Sequence, residues 1–423
     1  MFKKSLFLFS GLFFWALPQI ADATPIRPAS AINHDDCAEH LIYLVQGVRD
    51  SGLRARETNK LIREAKKFNP EVNGYTVNER TAAWSNFYNP MTDGGADANW
   101  IDGLHGPSHP LNDVFFRNGE YNTRRFKSAA DIKRGIEALS QEELNSLPSI
   151  RKYDIAMGDF SMSATKEQIK YFGTERRPSP ERWEGFCYPM RLIGATCPVP
   201  SQSVSREIPG TNKTVDFSPY DVATIAAAHW NGTSLYARMG SVNRATRDRE
   251  PPNAGAYHIM LQAYKAMKEK YAEKPFAAVF DVEPNAEIWN EALQNWSSEY
   301  GEVLELTATQ IRTWRAPTGA QKYVDVRTNA QLTHETTATD NLTRSTVANG
   351  RGMNSVDYEY RLYLDNNDQI VGGAWLHDSG RSYPDLVGFA NGYGTGTDNL
   401  DHDTVVQLLR DSTEETDHII PGT

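Results

Sequence analysis

The chain has 423 residues, a formal net charge of −10 at pH 7, 39% hydrophobic and 11% aromatic residues, and three cysteines. That apolar content argues against disorder and is enough to build a large packed core. The acidic balance argues against a nucleic-acid surface, which needs a basic patch, and suits a peptide, amine or wall-polymer partner without selecting one.

Lys3 and Lys4, the apolar run Leu6–Leu17 and the small-x-small step Ala21-Asp22-Ala23 form the pattern of a cleaved signal peptide. The expectation is a secreted or periplasmic protein whose mature chain starts near Thr24. The run is too short for a permanent membrane span, and no later stretch is a candidate. Asp36–Lys67 reads as two helices broken at Ser51-Gly52. Phe87–Asp113 is rich in Gly, Asp, Asn and Pro and reads as a long irregular loop. Its Asp93, Asp97 and Asp102 do not have calcium-loop spacing, so turn chemistry is the better reading, and His105 and His109 receive no role. Ala129–Leu139 is an amphipathic helix. Ser140 and Glu143 form a capping box that opens a short helix ended by Pro148.

Tyr153–Met162 has strand-like alternation, Thr165–Phe172 is helical, and Asp221–Trp230 is a buried helix in which His229 fills the core. Beyond residue 281 the pattern is mostly strand: Val303–Thr309, Gln321–Val326, Tyr358–Leu364 and Gln369–Trp375, with a hairpin turn at Asn366-Asn367.

Within this frame Cys187 is placed for chemistry. It follows Trp183-Glu184-Gly185-Phe186 and precedes apolar residues able to form a short helix, with Pro189 tolerated in the first turn. A sulfur at a helix N-terminus favours the thiolate, and the same N–H groups suit an oxyanion. A lone cysteine is, on residue type alone, more often a small buried hydrophobe or half of a disulfide. Pairing of Cys37 with Cys197 would leave Cys187 free, whereas Cys187 with Cys197 would silence it. A nucleophilic thiol needs a base and a group that orients the base. His258 and Asp281 supply these types, at intervals of 71 and 23 residues, with Asp281 expected at the end of a buried strand. Both also have blander readings, as a core histidine and a strand-end cap.

Six segments in register carry a resemblance: KYDIAMGD at Lys152, WEGFC at Trp183, FSPYDVATI at Phe217, NAGAYHI at Asn253, VFDVEPNAEIWNEAL at Val279 and YRLYLDNNDQIVGGAW at Tyr360. Together they resemble the transglutaminase elicitor family, known from oomycete cell-wall transglutaminases and exported bacterial proteins. The resemblance implies an α+β fold: a helical N-terminal region, then a papain/transglutaminase-like Cys-His-Asp core with a strand-rich C-terminal half. It divides the chain into a signal peptide (1–23), a helical region with the Gly/Asp loop (24–138), a catalytic region (139–395) and an acidic tail (396–423).

Carried onto this chain, it implies Cys187, His258 and Asp281 as catalytic residues, with Trp183, Trp289 and Asn290 at the substrate or oxyanion site. The elicitor-type segment falls on Ile288-Trp289-Asn290-Glu291, where oomycete members usually have Gln in place of Glu291. After the cysteine this chain has Tyr188-Pro189-Met190 where the family commonly has His or Asn, a small residue and Trp. The implied reaction is a cysteine thioester with a protein glutamine, passed to a lysine or other primary amine, or to water. A cysteine protease or cell-wall amidase using the same residues, and a non-catalytic recognition protein, stay open. No metal site or cofactor is required by the sequence, and no ligand pattern supports calcium.

Overall fold

The computed structural model of the chain describes residues 55–78, 82–231, 237–242, 249–271, 276–282, 287–344, 352–376, 383–391 and 399–415. The signal peptide, Cys37 and the first of the two expected N-terminal helices lie outside the described residues. Helix α1 (Ala55–Ala65) and strand β1 (Gly74–Thr76) precede a run of helices. These are α2 (Ala129–Ala138), α3 (Gln141–Asn145), α4 (Ser149–Ala156), α5 (Ser163–Tyr171) and α6 (Cys187–Thr196). A hairpin, β2 (Val204–Glu207) and β3 (Thr214–Phe217), leads into α7 (Pro219–Trp230). The second half holds β4 (Ala237–Met239), α8 (Ala254–Lys270), β5 (Phe276–Asp281), β6 (Asn290–Tyr300), β7 (Leu304–Glu305) and α9 (Ala308–Trp314). It continues with β8 (Lys322–Thr333), β9 (Met353–Leu364), β10 (Ile370–Trp375), β11 (Leu386–Asn391) and helix α10 (His402–Asp411).

Helix starts follow local chemistry. Ser140, Ser218 and Thr307 each accept the N–H of the residue three positions on, and that residue's side chain returns the bond to the cap. Two sequence expectations change. Tyr153–Met162 is not a strand: α4 begins right after Pro148 and continues to Ala156. The apolar–polar alternation misled because the polar residues of α4 are buried too, each with a partner. Arg151 pairs with Asp97, Lys152 with Asp221, and Asp154 accepts from Thr165. Val303–Thr309 contains only the two-residue β7, and the Thr307–Gln310 capping box opens α9 there. The α+β expectation, helical first and strand-rich second, agrees with the structure.

The main sheet runs β10-β9-β8-β6-β5-β11-β4, with β1 on β6 and β7 on β8. All its pairings are antiparallel. One face carries α8: Tyr257, Ile259 and Met260 pack among Phe280, Leu293, Tyr360 and Val387. The approach is close, since a Cβ on Gly373 of β10 would stand 2.3 Å from the nitrogen of Gly255. The other face carries α6, whose Leu192 packs on Ala277 and Val279. Side chains alternate along β5: Ala278 and Phe280 join the α8 core, and Ala277 and Val279 join Leu192. The sheet therefore lies between α6 and α8. The helical half has its own core, into which Val405, Val406, Leu408 and Leu409 of α10 are packed. No helix among the described residues is long and apolar enough to cross a membrane.

Candidate active site

Cys187 is the first residue of α6 and is 7% exposed. No side chain caps this helix, so the positive end of its macrodipole meets the sulfur without a competing cap. The turn before it is shaped by Gly185, where a Cβ would stand 2.5 Å from the carbonyl oxygen of Tyr88. Only glycine fits that approach. The loop preceding the helices braces the turn, with the Met91 N–H donating to the Glu184 carbonyl at 2.9 Å.

The sulfur touches the start of β6. Asn290 Nδ2 donates to Sγ at 3.4 Å, and the thiol donates to the Ile288 carbonyl at 3.6 Å. Asp281, at the end of β5 and opposite Asn290 in the sheet register, accepts the Trp289 N–H at 2.9 Å. Asp281 thus fixes the short segment whose carbonyl and amide hold the thiol. By the alternation of β5 it shares the α6 face with Val279. A cavity of about 270 Å³ opens at the thiol, lined by Trp183, Glu184, Tyr188, Arg176 and Asn290 among others. Arg176 and Glu184 form an ion pair in its wall.

Burial pushes the Cys187 thiol up from its ordinary value, and the Asn290 amide, Arg191 and the Tyr188 N–H act against the rise without cancelling it. The thiolate-favouring helix start expected from the sequence is present, but desolvation outweighs it. Cys187 and Cys197 are both free thiols, so the pairing that would silence Cys187 is absent among the described residues.

The structure does not bring His258 to Cys187. His258 lies on α8, across the sheet from α6, and is fully buried. Its Nδ1 contacts Tyr360 Oη at 2.7 Å and its Nε2 contacts Gln262 Nε2 at 2.9 Å. With Gln262 presenting its NH2, Nε2 accepts and Nδ1–H donates to Tyr360, whose hydroxyl continues to Thr328 at 2.8 Å. Both ring nitrogens are committed, and burial lowers the imidazole to about 3. The expected base is a satisfied core histidine, because the sheet separates the two helices. Trp183 lines the cavity, but its indole N–H donates to Glu181 at 2.9 Å rather than toward the thiol. Trp289 stacks edge-on with Tyr88 at 5.4 Å, and its indole N–H donates to Glu287 at 2.8 Å.

A histidine that spacing did not single out stands at this end of the sheet. His334 follows β8 directly, and its Nδ1 pairs with the buried carboxylate of Glu291, next to Asn290, at 2.8 Å. Glu291 also accepts from Asn354 at 3.2 Å and holds His334 above its ordinary pKa. The Thr333–Ala292 pairing that sets this contact is long-range, so only the alternating pattern leading into His334 hinted at it. Asp93, Asp97 and Asp102 form no calcium loop: Asp97 is bound to Arg151, and Asp102 accepts from Asn99 at 2.9 Å. Among the described residues no group of three or more His, Cys, Asp or Glu is arranged to hold a metal ion.

No curated protein matches the chain. Among solved structures, the crystal structure of the GP42 transglutaminase from Phytophthora sojae is similar at 15% identity and a TM-score of 0.48, over 80% of this chain and 93% of that one. A family model described as Transglutaminase elicitor matches residues 200–413, a stretch holding His258, Asp281, Asn290 and His334 and starting just after Cys187. That match spans half of the chain, and the chain belongs to the transglutaminase elicitor family.

Proposed function

We propose that the protein is an exported thiol acyltransferase of transglutaminase type, with Cys187 as nucleophile. The observation that carries this reading is the contact between Sγ, at the first residue of α6, and the Asn290 amide beside a cavity. Family membership supports the reaction class. In this reading the deprotonated sulfur adds to the γ-carboxamide carbon of a protein glutamine. The resulting oxyanion meets the Asn290 NH2 and the first-turn N–H groups of α6. Collapse breaks the C–N bond, and ammonia leaves with a proton returned from the base. The thioester then passes to a lysine amine, or to water.

Asp281 serves as a positioning residue for Ile288 and Asn290. Trp183 walls the cavity, and Trp289 with Tyr88 covers the adjoining surface.

The test is mass spectrometry of a glutamine-bearing protein after incubation with a primary amine probe. The expected product is an amide of that amine at glutamine, lost in Cys187→Ser. His258→Gln should change stability and leave turnover per folded molecule unaltered, since His258 is held by Tyr360 and Gln262. Cleaved backbone with untouched glutamines would favour the protease reading. An inert, folded protein with a free thiol would favour a recognition protein.

A further inference from the structure

A second cavity, of about 860 Å³, lies next to the Cys187 pocket. The two share Tyr171, whose ring is 53% exposed, and the adjacent residues Arg176 and Arg177 line one cavity each. The larger groove runs over the outer face of α5 and is framed by Arg124, Lys166, Lys170 and Arg177. Two carboxylates also line it, but both are already engaged. Glu175 accepts the Thr123 N–H at 2.8 Å and its hydroxyl at 2.6 Å, and Glu167 accepts from Asn399 at 2.7 Å.

The cations are held differently. Lys166 rests over the Phe126 ring at 5.0 Å and Lys170 over the Tyr171 ring at 4.6 Å. Arg177 donates only to the carbonyl of Arg176, at 3.3 Å. Among the described residues none of the four closes an ion pair with a carboxylate. A chain of net charge −10 thus collects four cations without a carboxylate partner, among the described residues, along a groove that adjoins the Cys187 cavity at Tyr171. Against the two carboxylates the four cations leave the concave surface with a positive excess, which concentrates ligands of opposite charge.

We infer that this groove binds an acidic peptide segment of the acyl-donor protein, flanking the glutamine that enters the Cys187 pocket. The inference rests on the acyl-transfer reading for what enters that pocket, and on the groove itself for the charge it selects. Continuity through Tyr171 makes the occupant a segment of the same polypeptide as the reacting side chain rather than a separate polyanion.

The experiment uses the full chain carrying Cys187→Ser and two fluorescent peptides, one with glutamine flanked by Asp and Glu, the other by Ser and Asn. Anisotropy at low salt should show the acidic peptide binding tighter by about tenfold, with the difference collapsing near 0.5 M salt. Lys166→Glu with Lys170→Glu should abolish the preference, whereas the same charge change at the exposed Arg312 and Arg315, both to Glu, should keep it. Circular dichroism checks that each variant is folded. Equal affinity for the two peptides overturns the inference, as does a preference that survives the double reversal. So does a polygalacturonate oligomer that binds through Lys166 and Lys170 while the acidic peptide does not. Because the readout is binding to an inert variant, it stands apart from the chemistry. Charge-selective binding without any glutamine product in the wild type would fail the acyl-transfer reading alone.

Discussion

At Cys187 two influences oppose each other. The start of α6, the Asn290 amide and Arg191 favour the thiolate, and burial disfavours it more. Burial therefore favours the protonated thiol, and in the proposed reaction its deprotonation must be coupled to substrate entry. Alkylation of Cys187 by an uncharged reagent should rise with pH only above the ordinary thiol range, near 8.5. Asn290→Ala should push that profile higher still and lower kcat by about 10²–10³-fold, the usual cost of losing an oxyanion donor. If Asn290→Ala leaves both the pH profile and kcat unchanged, the contact at 3.4 Å is packing and not catalysis. The thiol's position at a helix start was legible from WEGFC and the apolar residues after it, because glycine fit and helix initiation are local. Asp281 at a strand end was legible for the same reason. Its role was not, since the Trp289 N–H that it accepts is brought to it by the pairing of β5 with β6.

At the scale of elements, the cavity depends on how the loop before the helices is fastened to α4. Arg151 donates through Nε and Nη2 to both oxygens of Asp97, at 2.7 and 2.8 Å, and through Nη1 to Asn112 at 2.9 Å. Its guanidinium lies over Phe115 at 4.8 Å and Phe116 at 5.4 Å. Both partners of the ion pair are fully buried, so removing one strands the other. Arg151→Met should cost about 3–5 kcal/mol in denaturant unfolding, and adding Asp97→Leu should recover part of it. A loss under about 1 kcal/mol would mean that water or a neighbour rescues the stranded carboxylate. None of this was visible in the sequence. The Gly/Asp-rich stretch looked like solvated loop, and the second half of α4, from Tyr153, looked like the start of a strand. His258 fails as the base for a related reason. Intervals of 71 and 23 residues record order along the chain, not that β5 and its neighbours lie between α6 and α8. The Ser140 capping box, the helices at 129–139 and 221–230 and the turn at Asn366-Asn367 are local and were read correctly. The face on which each helix packs is decided by long-range pairing.

At the scale of the whole molecule, three histidines among the described residues are buried, which favours their neutral form. Burial lowers His258 to about 3, and burial first, then neighbouring positive charge, lowers His109 and His229 to about 4. His229 shares a 3.1 Å contact with His402 of the docked helix α10, and His109 ties its Nε2 to the Ser146 carbonyl at 3.2 Å. Each group has a folded pKa below the unfolded value of about 6.5, so between those limits the unfolded chain binds more protons. Stability is then complete above pH 6.5 and falls as pH drops toward 4, by up to roughly 1.4 kcal/mol per pH unit for each group. His334, raised by Glu291, contributes in the opposite sense but is half exposed and screened by solvent, whereas the buried Asp154 carboxyl, pushed by burial up to about 7, offsets part of the three histidines' effect over the same range. Carboxylates with lowered values, such as Asp159 and Asp357, lose their contribution only below about pH 4. Denaturant unfolding at pH 7.5, 6.5, 5.5 and 4.5 should therefore show the decline starting near 6.5, and His258→Gln should flatten its slope while lowering the plateau. A stability that stays level down to pH 5 would mean that these histidines open to water without unfolding the chain. The thiol adds a second constraint of the same direction, since its raised pKa withholds the thiolate at low pH. Folding and nucleophilicity both favour neutral to alkaline conditions, so the amine-transfer rate should climb with pH through the range in which stability has already reached its plateau.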